Sequence, residues 1–155
     1  MPIIHINLGS NVDKTYNINQ AINLISKSFN ILEKSAIYQS PAEGFEGADF
    51  YNIGINAQTD LSIIETNKIL RKIEKKLGRN RNIPKFSDRK IDLDLVLYDN
   101  IIDKNLNIPR NDILKYAFVL APLVELNPKQ KHPVEGITYQ QLWDKFTTKE
   151  NLKRL

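Results

Sequence analysis

The sequence predicts an α+β fold of the ferredoxin-like type: a βαββαβ antiparallel sheet with helices packed on one face and additional C-terminal helical pieces. Short β-branched segments alternate with segments of helical apolar periodicity, in the order strand, helix, strand, strand, helix, strand. The most regular segment, residues 91–97, has the period of two that is typical of a strand. The chain has 155 residues, 41% of them hydrophobic, which predicts one domain spanning residues 1–155.

The first half of the chain supplies a strand, a helix and a second strand. Residues 3–8 are mostly β-branched and run into a loop that begins with glycine, which predicts the first strand. Apolar residues recur at helical spacing over residues 16–28, so one face of this helix is expected in the core. Residues 31–38 predict the second strand, and residues 42–49 predict a loop.

The next part of the chain repeats this pattern. Residues 50–57 alternate as expected for a third strand, and Asp60 or Ser62 is positioned to cap the following helix. Gly78 is expected to end that helix, and an irregular stretch over residues 79–90 leads into the fourth strand.

The fourth strand divides its side chains between two faces. One face carries Ile91, Leu93, Leu95 and Leu97, and the other carries Asp92, Asp94 and Val96. Because helices are predicted on one side of the sheet only, the other face is expected to be free for ligands. Two further helical pieces are predicted over residues 113–125 and 139–146.

The net charge of +4 conceals a local asymmetry. From Lys68 to Lys90 there are ten Lys and Arg residues but only two acidic ones, Glu74 and Asp88, so this stretch carries +8 and the remainder −4. Such a field attracts an anionic partner, which can be nucleic acid, an anionic membrane surface or a nucleotide polyphosphate. The structural alternative is a solvated helix face.

Several classes of function are disfavoured. The chain has no cysteine, which excludes disulfides, cysteine-ligated zinc and thiol catalysis, and which suits a reducing cytoplasm. No apolar run approaches the ~20 residues of a membrane span, and the N-terminus does not resemble a signal peptide, so we expect a cytoplasmic protein. Glycine-rich nucleotide-binding motifs are also missing, so phosphate binding would depend on side chains and metal.

Asp92 and Asp94 are candidates for holding metal. Residues i and i+2 of a strand project from the same face roughly 6–7 Å apart, so these carboxylates can share two Mg²⁺ ions. They can equally be solvent-facing residues of a one-sided sheet. Basic residues come directly before them, namely Arg79, Arg81, Lys85, Arg89 and Lys90. Cations beside carboxylates suit a bound polyphosphate with its metal, although a solvated basic loop is the alternative.

Aromatic residues form a third group of candidates. Phe50, Tyr51, Phe86 and Phe118 fall at predicted strand ends or in irregular stretches, where a flat heterocycle can stack between two rings. Asn52 offers a donor and an acceptor to the edge of such a ring. Core packing is the alternative for each aromatic.

Taken in order, these segments resemble the 6-hydroxymethyl-7,8-dihydropterin pyrophosphokinase family of folate biosynthesis, over nearly the whole chain. The matching segments are residues 8–11 (LGSN), 38–41 (YQSP), 50–52 (FYN), 78–81 (GRNR), 89–95 (RKIDLDL) and 117–123 (AFVLAPL). Two of them in the correct order, R-x-x-D-x-D and F-V-L-x-P-L, are fairly specific.

The resemblance implies transfer of pyrophosphate from MgATP to the hydroxymethyl oxygen of the pterin, with release of AMP. Asp92 and Asp94 would bind two magnesium ions. ATP would contact Arg71, Glu74, Arg79, Arg81 and Arg89, with Arg79, Arg81 and Arg89 acting on the phosphates during catalysis. The pterin would lie between Phe50 and Phe118, near Ser40, Pro41, Glu43 and Asn52, with Phe86 sealing the pocket.

The chain departs from the family pattern on the ATP side. Ser87 and Asp88 replace a usual Gly-Pro, Arg110 replaces a histidine, and Tyr116 replaces an arginine. We expect Arg110 to supply to ATP the positive charge that is lost at Tyr116. The alternatives are a diverged relative with altered substrate or weak activity, and a ferredoxin-like module that binds single-stranded RNA. Nucleic acid is the less expected partner, since two aspartates would repel phosphate. A monomer or weak homodimer is expected.

Overall fold

The computed structural model describes residues 1–42, 44–79, 88–147, 149 and 151–155. The strands are β1 (Ile3–Ser10), β2 (Asn30–Lys34), β3 (Tyr38–Ser40), β4 (Phe50–Gln58), β5 (Asp92–Tyr98) and β6 (Lys153–Arg154). The helices are α1 (Lys14–Ser28), α2 (Ile63–Lys76), α3 (Ala117–Leu126) and α4 (Tyr139–Lys145), with 3₁₀ turns at Lys104–Leu106 and Asn111–Leu114. Within the described ranges, no helix combines the length and apolarity that crossing a membrane requires.

The strands form an antiparallel sheet in which the spatial order of the strands differs from their order in the sequence. Its strand order is β5-β1-β4-β3-β6, and β2 pairs with β4 beyond the end of β3. Strand β1 pairs along its whole length with the central strand β4, from Ile3 opposite Gln58 to Ser10 opposite Tyr51. This arrangement confirms the predicted ferredoxin-like α+β fold.

The main core lies between the first face of the sheet and helices α1 and α2. Ile6 on β1 and Ile55 on β4 are fully buried there, together with Ile25 of α1 and Leu70 of α2. Ser62 caps α2, as one of the two predicted caps, because its hydroxyl accepts from the backbone N–H of Glu65 and the Glu65 carboxylate accepts from Ser62 in return.

The strand predicted over residues 31–38 is divided into β2 and β3. Between them, the hydroxyl of Ser35 accepts from the backbone N–H of Gly54 at 2.9 Å, taking the place of a main-chain acceptor. The residue after Ser35 is Ala36, whose backbone N–H donates to a carboxylate oxygen of Glu125 on α3 at 2.9 Å. The backbone N–H of Ser35 still donates to the carbonyl of Gly54 at 2.9 Å, but side chains accept the other two N–H groups, so the regular ladder is interrupted in a way that periodicity does not reveal.

The assignment of Leu97 to the first face was wrong. Ile6 lies opposite Leu95, but its neighbour His5 lies opposite Leu97, so Val96 is an extra residue in β5. A bulge of this kind re-aims the side chains that follow it. Leu97 therefore packs with Val96 in a second core on the other face, and Tyr98 returns to the first.

The second face is not entirely free, contrary to the prediction. Helices α3 and α4 cover part of it and form the second core with Val96 and Leu97. The side-chain amide of Asn7 on β1 donates to the carbonyl of Phe118 at 3.2 Å, which fixes α3 to the sheet. The predicted helix 113–125 is also divided, since Tyr116 is extended and precedes α3.

Candidate active site

Strand β5 places Asp92 and Asp94 on the second face of the sheet, in the part that α3 leaves partly open. Their side chains are 24% and 22% exposed. The two oxygens of Asp92 contact two arginines of the basic stretch. Arg79 Nε lies 3.0 Å from Oδ1, and Arg89 Nη1 lies 2.7 Å from Oδ2. The predicted meeting of the acidic pair with the basic stretch is therefore observed.

Asp94 has a different pair of cationic neighbours. Arg71 Nη2 from α2 and Arg110 Nη2 each lie 3.6 Å from Asp94 Oδ1. Burial raises the pKa of Asp94, and the nearby charge of Asp92 raises it further, while Arg110 and Arg71 oppose the shift. Arg110 also contacts Asp112, with Nε 3.0 Å from Oδ2.

Among the described residues of this cluster, arginines and carboxylates are equal in number. The described arginines are Arg71, Arg79, Arg89 and Arg110, and the carboxylates paired with them are Glu74, Asp92, Asp94 and Asp112. Four positive charges thus face four negative charges when every carboxyl is ionised.

Helix α2 contacts the outer edge of β5 at Leu93, the residue between the two aspartates. The carboxylate of Glu74 accepts from the backbone N–H of Leu93 at 2.7 Å, and the guanidinium of Arg71 donates to the carbonyl of the same residue. Arg71 Nη1 and Glu74 Oε1 are 2.9 Å apart. Burial raises the pKa of Glu74 to about 7, while the bond from Leu93 and the charge of Arg71 act in the opposite direction. The two residues thus fix the backbone that carries Asp92 and Asp94.

Asn52 lies on β4 in the same face of the sheet and is 2% exposed. Its side-chain NH₂ donates to the carbonyl of Tyr38 at 3.0 Å and to the hydroxyl of Ser40 at 2.8 Å. The donor that was predicted to contact a ligand is therefore engaged within the protein. Gly9 lies opposite Asn52, and a Cβ at Gly9 would be 3.3 Å from the side-chain amide oxygen of Asn52.

A cavity of about 370 Å³ lies between β3 and the start of α3. Ser40 and Pro41 line one side, and Phe118 and Tyr116 line another, with their rings stacked 5.0 Å apart. The structure therefore brings together three of the residues predicted to contact the pterin. Phe50 does not line this cavity and lies instead beside Gly9.

Three predicted site residues, Glu43, Arg81 and Phe86, lie outside the described residues. Asn7 and Asp112 are further neighbours of the site that the sequence did not single out. Asn7 lies directly opposite Asp94 in the pairing of β1 with β5, but a strand asparagine gives no distinctive signal in the sequence. Asp112 pairs with an arginine only two positions away, and this short spacing could have indicated the contact.

Fold and site together define a class of protein. Paired carboxylates that suit a hard divalent cation, set among arginines on the face of an α+β sheet, are the parts that an enzyme of phosphoryl transfer requires.

Comparison with known proteins specifies the class further. Residues 5–128 match the model of the 7,8-dihydro-6-hydroxymethylpterin-pyrophosphokinase (HPPK) family. The chain is 34% identical to the 2-amino-4-hydroxy-6-hydroxymethyldihydropteridine pyrophosphokinase of Aquifex aeolicus, over 99% of this chain and 95% of that protein. The Bacillus subtilis enzyme of the same name is 33% identical, over 80% of this chain and 77% of that protein. The chain belongs to the HPPK family.

Other relatives are longer proteins. The bifunctional protein FolKE of Lactococcus lactis is 34% identical over 83% of this chain but only 38% of its own length. The crystal structure of wild-type Plasmodium falciparum HPPK-DHPS matches 99% of this chain with a TM-score of 0.77 and 15% identity, and this chain spans 47% of that protein. At that identity the likeness supports the fold alone.

Family membership makes the chain a pyrophosphokinase of folate biosynthesis that uses a pterin and ATP as its substrates. The comparisons do not favour the diverged relative or the RNA-binding module.

Proposed function

We propose that Asp92 and Asp94 hold two Mg²⁺ ions between ATP and 6-hydroxymethyl-7,8-dihydropterin, while Arg79, Arg81, Arg89 and Arg110 bind the phosphates. The observation that carries this proposal is the position of both carboxylates on the partly open sheet face, with two arginines at each. Carboxylate oxygens are the ligands that Mg²⁺ prefers, and phosphates and water complete its coordination. Bound magnesium would polarise the phosphate oxygens and neutralise their charge.

The balance of charge supports two ions. Among the described residues, four arginines pair with four carboxylates. Burial raises the pKa of Glu74 and of Asp94, so the net charge of these pairs lies between zero and about +2, less than the charge of ATP. Two divalent cations supply four charges, which match the roughly four negative charges of ATP. Arg81 and Lys85 add further positive charge from the same basic stretch of sequence.

Arg79 and Arg89 have a second role in this proposal. In the described conformation both guanidinium groups contact Asp92, the former with only 5% of its side chain exposed. A bound triphosphate offers these arginines another anion. Turning toward it frees the oxygens of Asp92 for metal, so phosphate binding and metal binding support each other.

The chemical step is an in-line displacement at the β-phosphorus of ATP. The hydroxymethyl oxygen of the pterin forms the new bond to this phosphorus and gives up its proton to water, while the bond from the β-phosphorus to the oxygen on the α-phosphate breaks. AMP leaves with that oxygen. The arginines and the fixed backbone of β5 stabilise the charge that develops and hold the reacting groups in line.

The pterin site is proposed at the cavity between β3 and α3 and on the adjoining strand β4. Ser40, Pro41 and Phe118 line the cavity, and the buried amide of Asn52 is bonded to Ser40 beside it. Phe50, Glu43 and Phe86 complete the proposed set. The apolar ring and the adjacent polar groups suit a flat heterocycle with a hydrogen-bonding edge.

An AMP-release assay tests the proposal. With MgATP and the pterin alcohol, we expect one AMP for each pterin pyrophosphate, and we expect EDTA to abolish turnover. Activity without a divalent cation would contradict the metal role. Calorimetry that shows pterin binding without turnover would instead indicate a diverged relative with weak activity.

The chain is further proposed to act in the cytoplasm as a monomer or weak homodimer. Its lack of cysteine fits a reducing compartment. Sedimentation analysis across a hundredfold range of concentration tests the oligomeric state, and a constant dimer mass would contradict it.

A further inference from the structure

Asn11, the residue after β1, contacts two separate segments of the site. Its side chain is buried, with 6% exposed. Its backbone N–H donates to the carbonyl of Arg89 at 3.0 Å, and its Oδ1 accepts from the backbone N–H of Arg89 at 2.7 Å. The side-chain NH₂ donates to Asp88 Oδ1 at 2.8 Å and to the carbonyl of Ala48 at 3.1 Å. One asparagine thus holds residues on both sides of the site.

The two segments differ in their proposed ligands. Ala48 belongs to the segment 44–49, which connects β3 with β4 and leads into Phe50, on the proposed pterin side. Arg89 precedes β5, and its guanidinium contacts Asp92 on the proposed phosphate side. Because Asn11 bonds both the N–H and the carbonyl of Arg89, the backbone of this arginine is fixed.

The two segments also touch directly. A Cβ added at Gly47 would lie 2.7 Å from Asp88 Oδ1, closer than nonbonded atoms approach. Asp88 therefore lies against the main chain of the 44–49 segment. Its carboxylate accepts from the neutral amide of Asn11, so the acidic group that replaces the proline usual in the family has a bonding partner away from the phosphates.

We propose that the hydrogen bonds from Asn11 to Ala48 and to Asp88 together couple the pterin-side segment 44–49 to Arg89, so that Asn11 and Asp88 are positioning residues for binding of the two substrates. The assignment of sides rests on the proposed function. Holding both segments in one arrangement lets each substrate order part of the site of the other, which raises the affinity of the second substrate to bind.

Calorimetry measures this coupling as the ratio of pterin dissociation constants without and with the magnesium complex of α,β-methylene-ATP. We expect Asp88→Ala and Asn11→Ala each to lower that ratio about fivefold or more. The double variant should lower it no further than Asn11→Ala alone, because both substitutions break the same bond. Asp88→Asn should retain the ratio, since its amide oxygen can still accept from Asn11.

Two exposed residues provide matched controls. Asn23→Ala and Asp60→Ala remove the same side chains on the surface of α1 and before α2, and neither should change the ratio. Ratios for Asn11→Ala and Asp88→Ala within twofold of the unmodified protein would overturn the proposal, as would additive effects in the double variant. Asp88 is exposed, so Asp88→Ala provides the decisive result if Asn11→Ala fails to fold.

Amide hydrogen exchange of Arg89, measured by NMR without ligands, separates this inference from the proposed function. We expect exchange at Arg89 to be at least about tenfold faster in Asn11→Ala, because its acceptor is lost. If Arg89 exchanges faster in Asn11→Ala but the unmodified protein forms no AMP, the proposed function is refuted and the coupling through Asn11 stands. If exchange at Arg89 is unchanged in Asn11→Ala and the unmodified protein forms AMP normally, only the coupling through Asn11 is refuted.

Discussion

Replacing Glu74 by glutamine is expected to change how the stability of the protein depends on pH. The Glu74 carboxyl is 2% exposed, and burial raises its pKa from the ordinary value of 4.5 to about 7. Between these values the folded protein keeps a proton that the unfolded chain releases. Folding then becomes less favourable as pH rises, since the unfolded state binds fewer protons.

The expected magnitude follows from the two pKa values. Their difference of about 2.5 corresponds to about 3 kcal/mol, which the unmodified protein loses between pH 4.5 and pH 7 and does not regain above it. Glutamine cannot ionise and resembles the protonated carboxyl, so the variant lacks this loss. His5 acts in the opposite direction over a similar range, because burial lowers its pKa to about 4, and only a comparison of variants isolates Glu74.

Urea unfolding at half-unit pH intervals, in EDTA and without nucleotide, measures the effect. The free energy of unfolding of Glu74→Gln minus that of the unmodified protein should rise by about 3 kcal/mol from pH 4.5 to pH 7.5. Glu33→Gln, at an exposed position on β2, is the control and should show no such rise. A parallel pH profile for Glu74→Gln and the unmodified protein would refute the reasoning.

Three further outcomes are expected. Asp94→Ala should lower AMP release about a hundredfold or more and weaken its dependence on Mg²⁺, and retained activity would contradict the metal role. Arg110→Ala should raise the KM for ATP about tenfold while the KM for the pterin changes little; unimpaired ATP affinity would contradict its phosphate role. Gly54→Ala should lower stability by about 1–3 kcal/mol in urea, because its Cβ would lie 2.8 Å from both His5 and Pro122, and unchanged stability would contradict this close packing.

Exposed residues provide controls for the first two substitutions. Asp144→Ala on α4 removes a carboxylate from the surface, and Lys129→Ala removes a surface cation. Neither should change turnover or the KM for ATP.

The alternating pattern predicted strand β5 and the shared face of Asp92 and Asp94, because side-chain direction in a strand depends on local backbone geometry alone. The pattern failed at Leu97, because Val96 is an extra residue of β5 between Leu95, which lies opposite Ile6, and Leu97, which lies opposite His5. A bulge depends on how two strands pair, so neither strand reveals it separately.

Candidate residues could be chosen from the sequence because arginines and aspartates are close together along the chain. Their actual partners could not be chosen in that way. Arg110 lies 3.6 Å from Asp94 although 16 positions separate them, and Glu74 bonds to Leu93 from another element. Such contacts depend on how α2 and the segment after β5 pack against the sheet.

The sequence by itself determined the order of the elements, the family and the two aspartates on one strand face, since these follow from local periodicity and short motifs. Only the tertiary structure decided how much of the second face stays open, which arginine meets which aspartate, and that Asn11 joins two segments of the site. Those features depend on contacts between residues distant in sequence, and no local pattern encodes the packing that brings them together.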